Sequence, residues 1–336
     1  MRINRGTLLR IARDTVNQRV RKDRGLLSAY LCGSLLGDDY LLGGTADIDL
    51  TFVHIDSPPQ EREIVGLTDE VHLDIAHYPQ KEFSQARRLR THPWLGPTIF
   101  SCQILHDPQH FMDFTQASVR GQFDRADYVL GRARSQAEHA RQIWMGFYRE
   151  TPQQPGPPEL ALYLRAVGHA ANAIASLSGP PVAERRLLLE FTRRAEAVGR
   201  PGLQPGLLGL LGAPNVDGEI LKSWLGDWQA CLESIPQENA PARLHPARTG
   251  YYRRGFEALL AGTEPMTILW PLLRTWTEAV EMLPPDSVSS QSWEQALGTL
   301  SLTDTGFAER VEALDAYLDM VEETLEGWAQ AAGVFH

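Results

Sequence analysis

The stretch Leu26-Leu-Ser-Ala-Tyr-Leu-Cys32-Gly33-Ser34, followed after twelve residues by Asp47-Ile48-Asp49, decides the reading of this chain. Its first part is a short apolar run stopped by a turn residue, which predicts a buried strand. Residues 48–53 alternate in part and follow the turn-like Gly43-Gly44-Thr45, so a second strand is expected with Asp47 and Asp49 at its head. Carboxylates at i and i+2 on a strand share a face. Like charges placed there repel unless a cation bridges them. The pair is therefore expected to hold a metal, and ligation by oxygen alone favours Mg²⁺ or Mn²⁺ over zinc. Gly33-Ser34, opening a short helix, would present backbone N–H groups and a hydroxyl to a triphosphate.

Outward from this core, residues 71–78 alternate with period two, placing His72, Asp74 and Ala76 on one face of a third strand. Residues 98–105 are read as a further strand. Upstream, Leu9, Ala12, Val16 and Val20 recur at helical spacing over residues 7–22. Beyond about Phe123 the periodicity becomes helical, and segments 151–158 and 200–206, rich in Pro and Gly, are read as loops. Phe307, Val311, Leu314, Leu318, Val321, Leu325 and Trp328 form one seam of a long final helix, whose charged positions are acidic except for Arg310. Strands followed by helices, in 336 residues, predict two domains.

Composition narrows the class. Apolar residues are 43% and charged residues 22% of the chain, as in ordinary globular proteins. No apolar run suits a signal peptide or a membrane span, so a cytoplasmic address is expected. Cys32, Cys102 and Cys231 lack any CxxC spacing and are read as reduced, buried thiols. A net charge of -10 argues against nonspecific nucleic-acid binding and suits a small or cationic partner better. The basic run Lys81, Arg87, Arg88, Arg90 is read as a solvated face.

Gly33-Ser34-x12-Asp47-Ile48-Asp49 resembles the signature of the DNA polymerase β-like nucleotidyltransferase superfamily, most closely the bacterial aminoglycoside nucleotidyltransferase type. The matching motifs span residues 26–110 and include Ile104-Leu-His-Asp107-Pro108, similar to a turn after the last core strand of these enzymes. The resemblance implies an α+β protein: a small mixed-sheet catalytic domain, residues 1–120, then an all-α helical bundle, residues 121–336, that binds the acceptor. It implies Gly33 and Ser34 on the triphosphate, Asp47 and Asp49 on Mg²⁺, and Asp74 as third carboxylate, either metal ligand or base. The implied reaction moves a nucleoside monophosphate from an NTP to a hydroxyl of a small, cationic acceptor such as an aminoglycoside, releasing pyrophosphate. A tRNA or protein acceptor, or a nucleotide-binding module without turnover, are the alternatives.

Overall fold

The computed structural model describes residues 3–236, 238 and 240–334. The chain divides into two compact units, Met1–Tyr128 with Ala247–Gly255, and Val129–Pro246 with Phe256–His336. The first unit thus runs past residue 120, where the sequence places the boundary, and includes a short segment from far down the chain.

In the first unit, α1 (Arg5–Lys22) starts behind Asn4, whose side chain accepts from the Thr7 N–H, and buries Leu8, Ala12 and Val16. Five strands follow: β1 (Leu26–Cys32), β2 (Ala46–His54), β3 (Arg62–Gly66), β4 (Val71–Pro79) and β5 (Gln103–His106). They form one mixed sheet in the order β3-β4-β2-β1-β5. Strands β2 and β4 pair in parallel, with Asp47 opposite His72 and Asp49 opposite Asp74. The pairs β1/β2, β1/β5 and β3/β4 are antiparallel.

Alternation sorts the two faces. Ala29, Leu31, Ile48, Leu50, Phe52, Leu73 and Ile75 form one core with Leu8, Ala12 and Val16 of α1. On the other face, Leu27, Tyr30 and Val53 pack with Phe83 and with residues of α2 (Ala86–Thr91), α3 (Leu95–Ser101) and α4 (Phe111–Arg120). The strand expected at 98–105 is a helix up to Ser101 and pairs with β1 only over Gln103–His106. The turn after β5 is closed by Asp107, whose Oδ2 accepts from the N–H groups of Met112 and Asp113 at 2.8 and 2.9 Å.

From α5 (Ala126–Arg149) onward the chain is helical: α6 (Pro157–Ala175), α7 (Leu187–Ala197), α8 (Leu203–Leu210), α9 (Gly218–Glu233), α10 (Thr249–Leu260), α11 (Leu269–Glu281), α12 (Val288–Thr299) and α13 (Asp304–Ala331). The architecture is therefore α+β followed by helices. Segment 200–206 is only half loop, because Leu203 to Gly206 already belong to α8; Pro205 sits in the first turn, where its missing N–H has no helical partner to lose. The seam from Phe307 to Leu325 is buried. Three of the acidic residues of α13 converge on one cation, Arg141, which donates to Asp315, Asp319 and Glu322 at 2.5, 2.7 and 2.8 Å. Cys32, Cys102 and Cys231 are free thiols. Among the described residues no helix is long and apolar enough to cross a membrane.

His169 in this second unit faces Gln136 Oε1 at 2.5 Å and stacks on His139. Burial, then the charges of His139, Arg165 and Arg274, lower its pKa to about 4. An imidazole that binds its proton less readily when folded contributes stability that is whole above the unfolded pKa, near 6.5, and is lost as pH falls toward 4. Urea midpoints measured at pH 7.5 and 4.5 are expected to differ less in His169→Gln than in the wild type. Equal pH dependence in both proteins would show that His169 is not the group responsible.

Candidate active site

The candidate site lies on the sheet face opposite α1, where β2, β4 and β3 stand side by side. Asp47 and Asp49 lie two residues apart on β2 and face the same way, and the register sets Asp74 beside Asp49. Gly33, at the end of β1, has φ 76°, a left-handed conformation that favours glycine. A Cβ at Gly33 would lie 1.9 Å from Asp49 Oδ2, so only a residue without a side chain fits over this carboxylate. Ser34 follows at the start of a one-turn 3₁₀ helix, Ser34–Leu36, closed by the Gly37 N–H on the Ser34 carbonyl at 2.9 Å.

The carboxylates differ in their partners. Asp74 is buried, its side chain 1% exposed, and is held by two guanidinium groups. Arg62 on β3 donates from Nε to Oδ1 at 2.6 Å and from Nη2 to Oδ2 at 2.7 Å. Arg248 donates from Nη2 to Oδ2 at 2.6 Å. Arg248 also donates from Nε to His72 Nε2 at 3.1 Å. Because a guanidinium only donates, Nε2 must be the accepting nitrogen, so this fully buried imidazole is neutral with its proton on Nδ1. His72 therefore bears on Asp74 through Arg248. Asp47 accepts from the Tyr251 hydroxyl at 2.7 Å, and the Tyr251 ring meets His72 edge-on at 4.7 Å.

Electrostatics follow from these partners. Burial, then the charges of Asp47 and Asp74, push the Asp49 carboxyl well above the usual carboxylate range, against the opposing pull of Arg248 and Arg62. Burial disfavours charge on Arg248, but Tyr252, Asp74, Tyr251 and Asp47 outweigh it and keep the guanidinium firmly protonated.

The residues fit a divalent cation in part. Asp47 and Asp49 offer hard oxygen ligands, their mutual repulsion is what a cation would relieve, and Gly33 lets the backbone approach Asp49 where a side chain would collide with its carboxylate. Asp74 does not fit equally well, since both of its oxygens already accept from guanidinium groups. Among the described residues no group of three or more His, Cys, Asp and Glu side chains is arranged to hold a metal ion.

Sequence reasoning thus named Gly33, Ser34, Asp47, Asp49 and Asp74, which the sheet gathers at one place, and missed Arg62, Arg248 and Tyr251. Arg248 and Tyr251 come from Ala247–Gly255, the short segment that belongs to the first unit. Close contacts at glycines seat it: a Cβ at Gly43 would lie 2.2 Å from the Arg254 carbonyl oxygen, and one at Gly250 would lie 2.8 Å from that of Asp69. Of the basic run, Lys81, Arg87 and Arg88 are exposed as read, whereas Arg90 is half-buried and donates to the Ser118 carbonyl and to Gln122 Oε1. Comparison of the chain with protein-family models gives no match, and comparison with curated proteins gives none.

Proposed function

We propose that this protein is a metal-dependent nucleotidyltransferase that moves a nucleoside monophosphate from an NTP to a hydroxyl of a small, cationic acceptor such as an aminoglycoside. The observation that carries the reading is the pair Asp47 and Asp49 on one face of β2, with the Gly33 backbone packed closely against Asp49. A divalent cation held by this pair, Mg²⁺ or Mn²⁺, would supply neutralisation of the charge that develops on the phosphates.

The residues of the chain account for the remaining tasks. Gly33 and Ser34 line the approach to Asp49 with a turn whose backbone and hydroxyl suit phosphate oxygens. Tyr251, by donating to Asp47, fixes the orientation of that carboxylate. Proton removal from the acceptor hydroxyl falls to a carboxylate that is not engaged with the cation. Acidic residues of α13 that Arg141 does not engage, such as Glu312, Glu323 and Glu326, are exposed and give the second unit a field that favours cations.

Incubation with Mg²⁺, each labelled NTP in turn and a panel of aminoglycosides tests the proposal. Pyrophosphate release with a labelled aminoglycoside is the expected result. Labelling of RNA or of a protein hydroxyl instead would overturn the small acceptor but keep the chemistry. Binding of NTP without release would leave a nucleotide-binding module.

A further inference from the structure

Resting on the reading above, we infer that Asp74 is neither a metal ligand nor a base but the anchor of a guanidinium pair, and that Arg62 in that pair binds the triphosphate of the NTP.

A metal ligand needs lone pairs and negative charge to give. Both oxygens of Asp74 accept short, charge-assisted hydrogen bonds, from Arg62 in a bidentate pair and from Arg248, at 2.6–2.7 Å. Two cations against one carboxylate make the group net positive by one, the wrong sign for attracting Mg²⁺ and the right sign for a phosphate. A base needs access as well, and the Asp74 side chain is 1% exposed.

The two arginines are not equivalent. Arg248 is buried and shared between Asp74 and His72, which makes it a fixed internal counter-charge. Arg62 is different: its side chain is 50% exposed, and among the described residues its guanidinium hydrogen-bonds to Asp74 alone. Nε and Nη2 are spent on the anchor, leaving Nη1 with its two N–H groups to donate outward. In the antiparallel β3/β4 pair Ile64 stands opposite Asp74, so Arg62, two residues from Ile64, shares the face that carries Asp74 and, by the β2/β4 register, Asp49. An arginine held in plane by a buried carboxylate, with one edge open beside a metal-binding pair, is preorganised for phosphate recognition; little rotamer freedom remains to be lost on binding. Arg62 is thus a substrate-binding residue and Asp74 a positioning residue.

The test uses the full chain and binding readouts. Affinity for inorganic tripolyphosphate and for ATP is measured by calorimetry with Mg²⁺, and Mn²⁺ affinity without nucleotide by electron paramagnetic resonance. Arg62→Ala is expected to weaken tripolyphosphate and ATP about tenfold or more, to leave Mn²⁺ affinity unchanged, and to be partly rescued in Arg62→Lys, which keeps the charge. Asp74→Asn is expected to keep Mn²⁺ affinity, whereas Asp47→Asn loses it. Should Asp74→Asn fail to fold, Arg62→Ala, on a half-exposed edge-strand position, still decides the matter. Wild-type tripolyphosphate affinity in Arg62→Ala overturns the inference alone, as does loss of Mn²⁺ binding in a folded Asp74→Asn. A wild-type protein that binds neither Mn²⁺ nor tripolyphosphate overturns the nucleotidyltransferase reading and this inference with it.

Discussion

Asp49→Asn is expected to reduce the proposed nucleotidyl transfer by about a thousandfold or more while raising the melting temperature of the ligand-free protein. The kinetic part follows from charge: removing one of the paired carboxylates forfeits several kcal/mol of metal-dependent stabilisation, and about 4 kcal/mol corresponds to a thousandfold in rate. The stability part follows from the raised pKa of Asp49, caused first by burial and then by Asp47 and Asp74. A carboxyl whose folded pKa lies above its unfolded value opposes folding at neutral pH, and the wild type gains stability as pH falls through that folded pKa. Asparagine is neutral at every pH and removes the cost, with each kcal/mol recovered worth about 2–4 °C. Melting curves at pH 7.5 with and without Mg²⁺ and ATP check both halves: the variant should melt higher than the wild type without ligand and gain less from adding it. Turnover close to wild type in Asp49→Asn would remove the metal site from the proposal.

How much of this was legible in the sequence depends on whether the signal was local. Strands β1, β2 and β4 were, because apolar runs flanked by turn glycines carry their own boundaries, and α1 and α13 were, because a buried face repeats at helical spacing. Strand β3 was not: Arg62-Glu-Ile-Val-Gly66 is short and charged at its start, as befits an edge strand that must not pair further. Thr98 and Ile99 have strand-like side chains, yet they lie in a helix that buries Ile99 in one core with Phe83 and Leu95, tertiary packing overriding local preference. The site shows the same division. Gly33, Asp47 and Asp49 form a spaced motif on consecutive elements, and Asp74 sits on the next alternating strand. Arg248 and Tyr251 act on residues 174 and 204 positions away, and no local pattern announces such a pairing. The one available hint was the need itself: three carboxylates gathered on a buried face require cations, and Arg62 and the arginines around residue 250 were unassigned.

The largest stability effect is expected at Asp74, and with the opposite sign to Asp49. Both are aspartates in register on neighbouring strands, so a difference between them isolates the effect of partners. Asp74→Asn keeps the shape but strips the charge that balances Arg248, whose side chain is only 10% exposed, and turns an amide N–H₂ toward guanidinium N–H groups. Breaking a buried pair by removing one partner leaves an uncompensated charge and costs about 3–5 kcal/mol. Arg62→Ala, by contrast, removes a half-exposed partner and leaves Asp74 its bond from Arg248 on Oδ2 while opening Oδ1, so a smaller cost of about 1–2 kcal/mol is expected. Replacing both buried partners, as in Asp74→Leu with Arg248→Met, removes the unpaired charge along with its cause and should restore much of the stability lost in Asp74→Asn. Urea unfolding of Asp74→Leu, Arg248→Met and their double variant, taken as a mutant cycle, measures the coupling between Asp74 and Arg248 directly. If Asp74→Asn unfolds at the wild-type urea midpoint, the guanidinium pair around Asp74 is not a structural element of the folded protein.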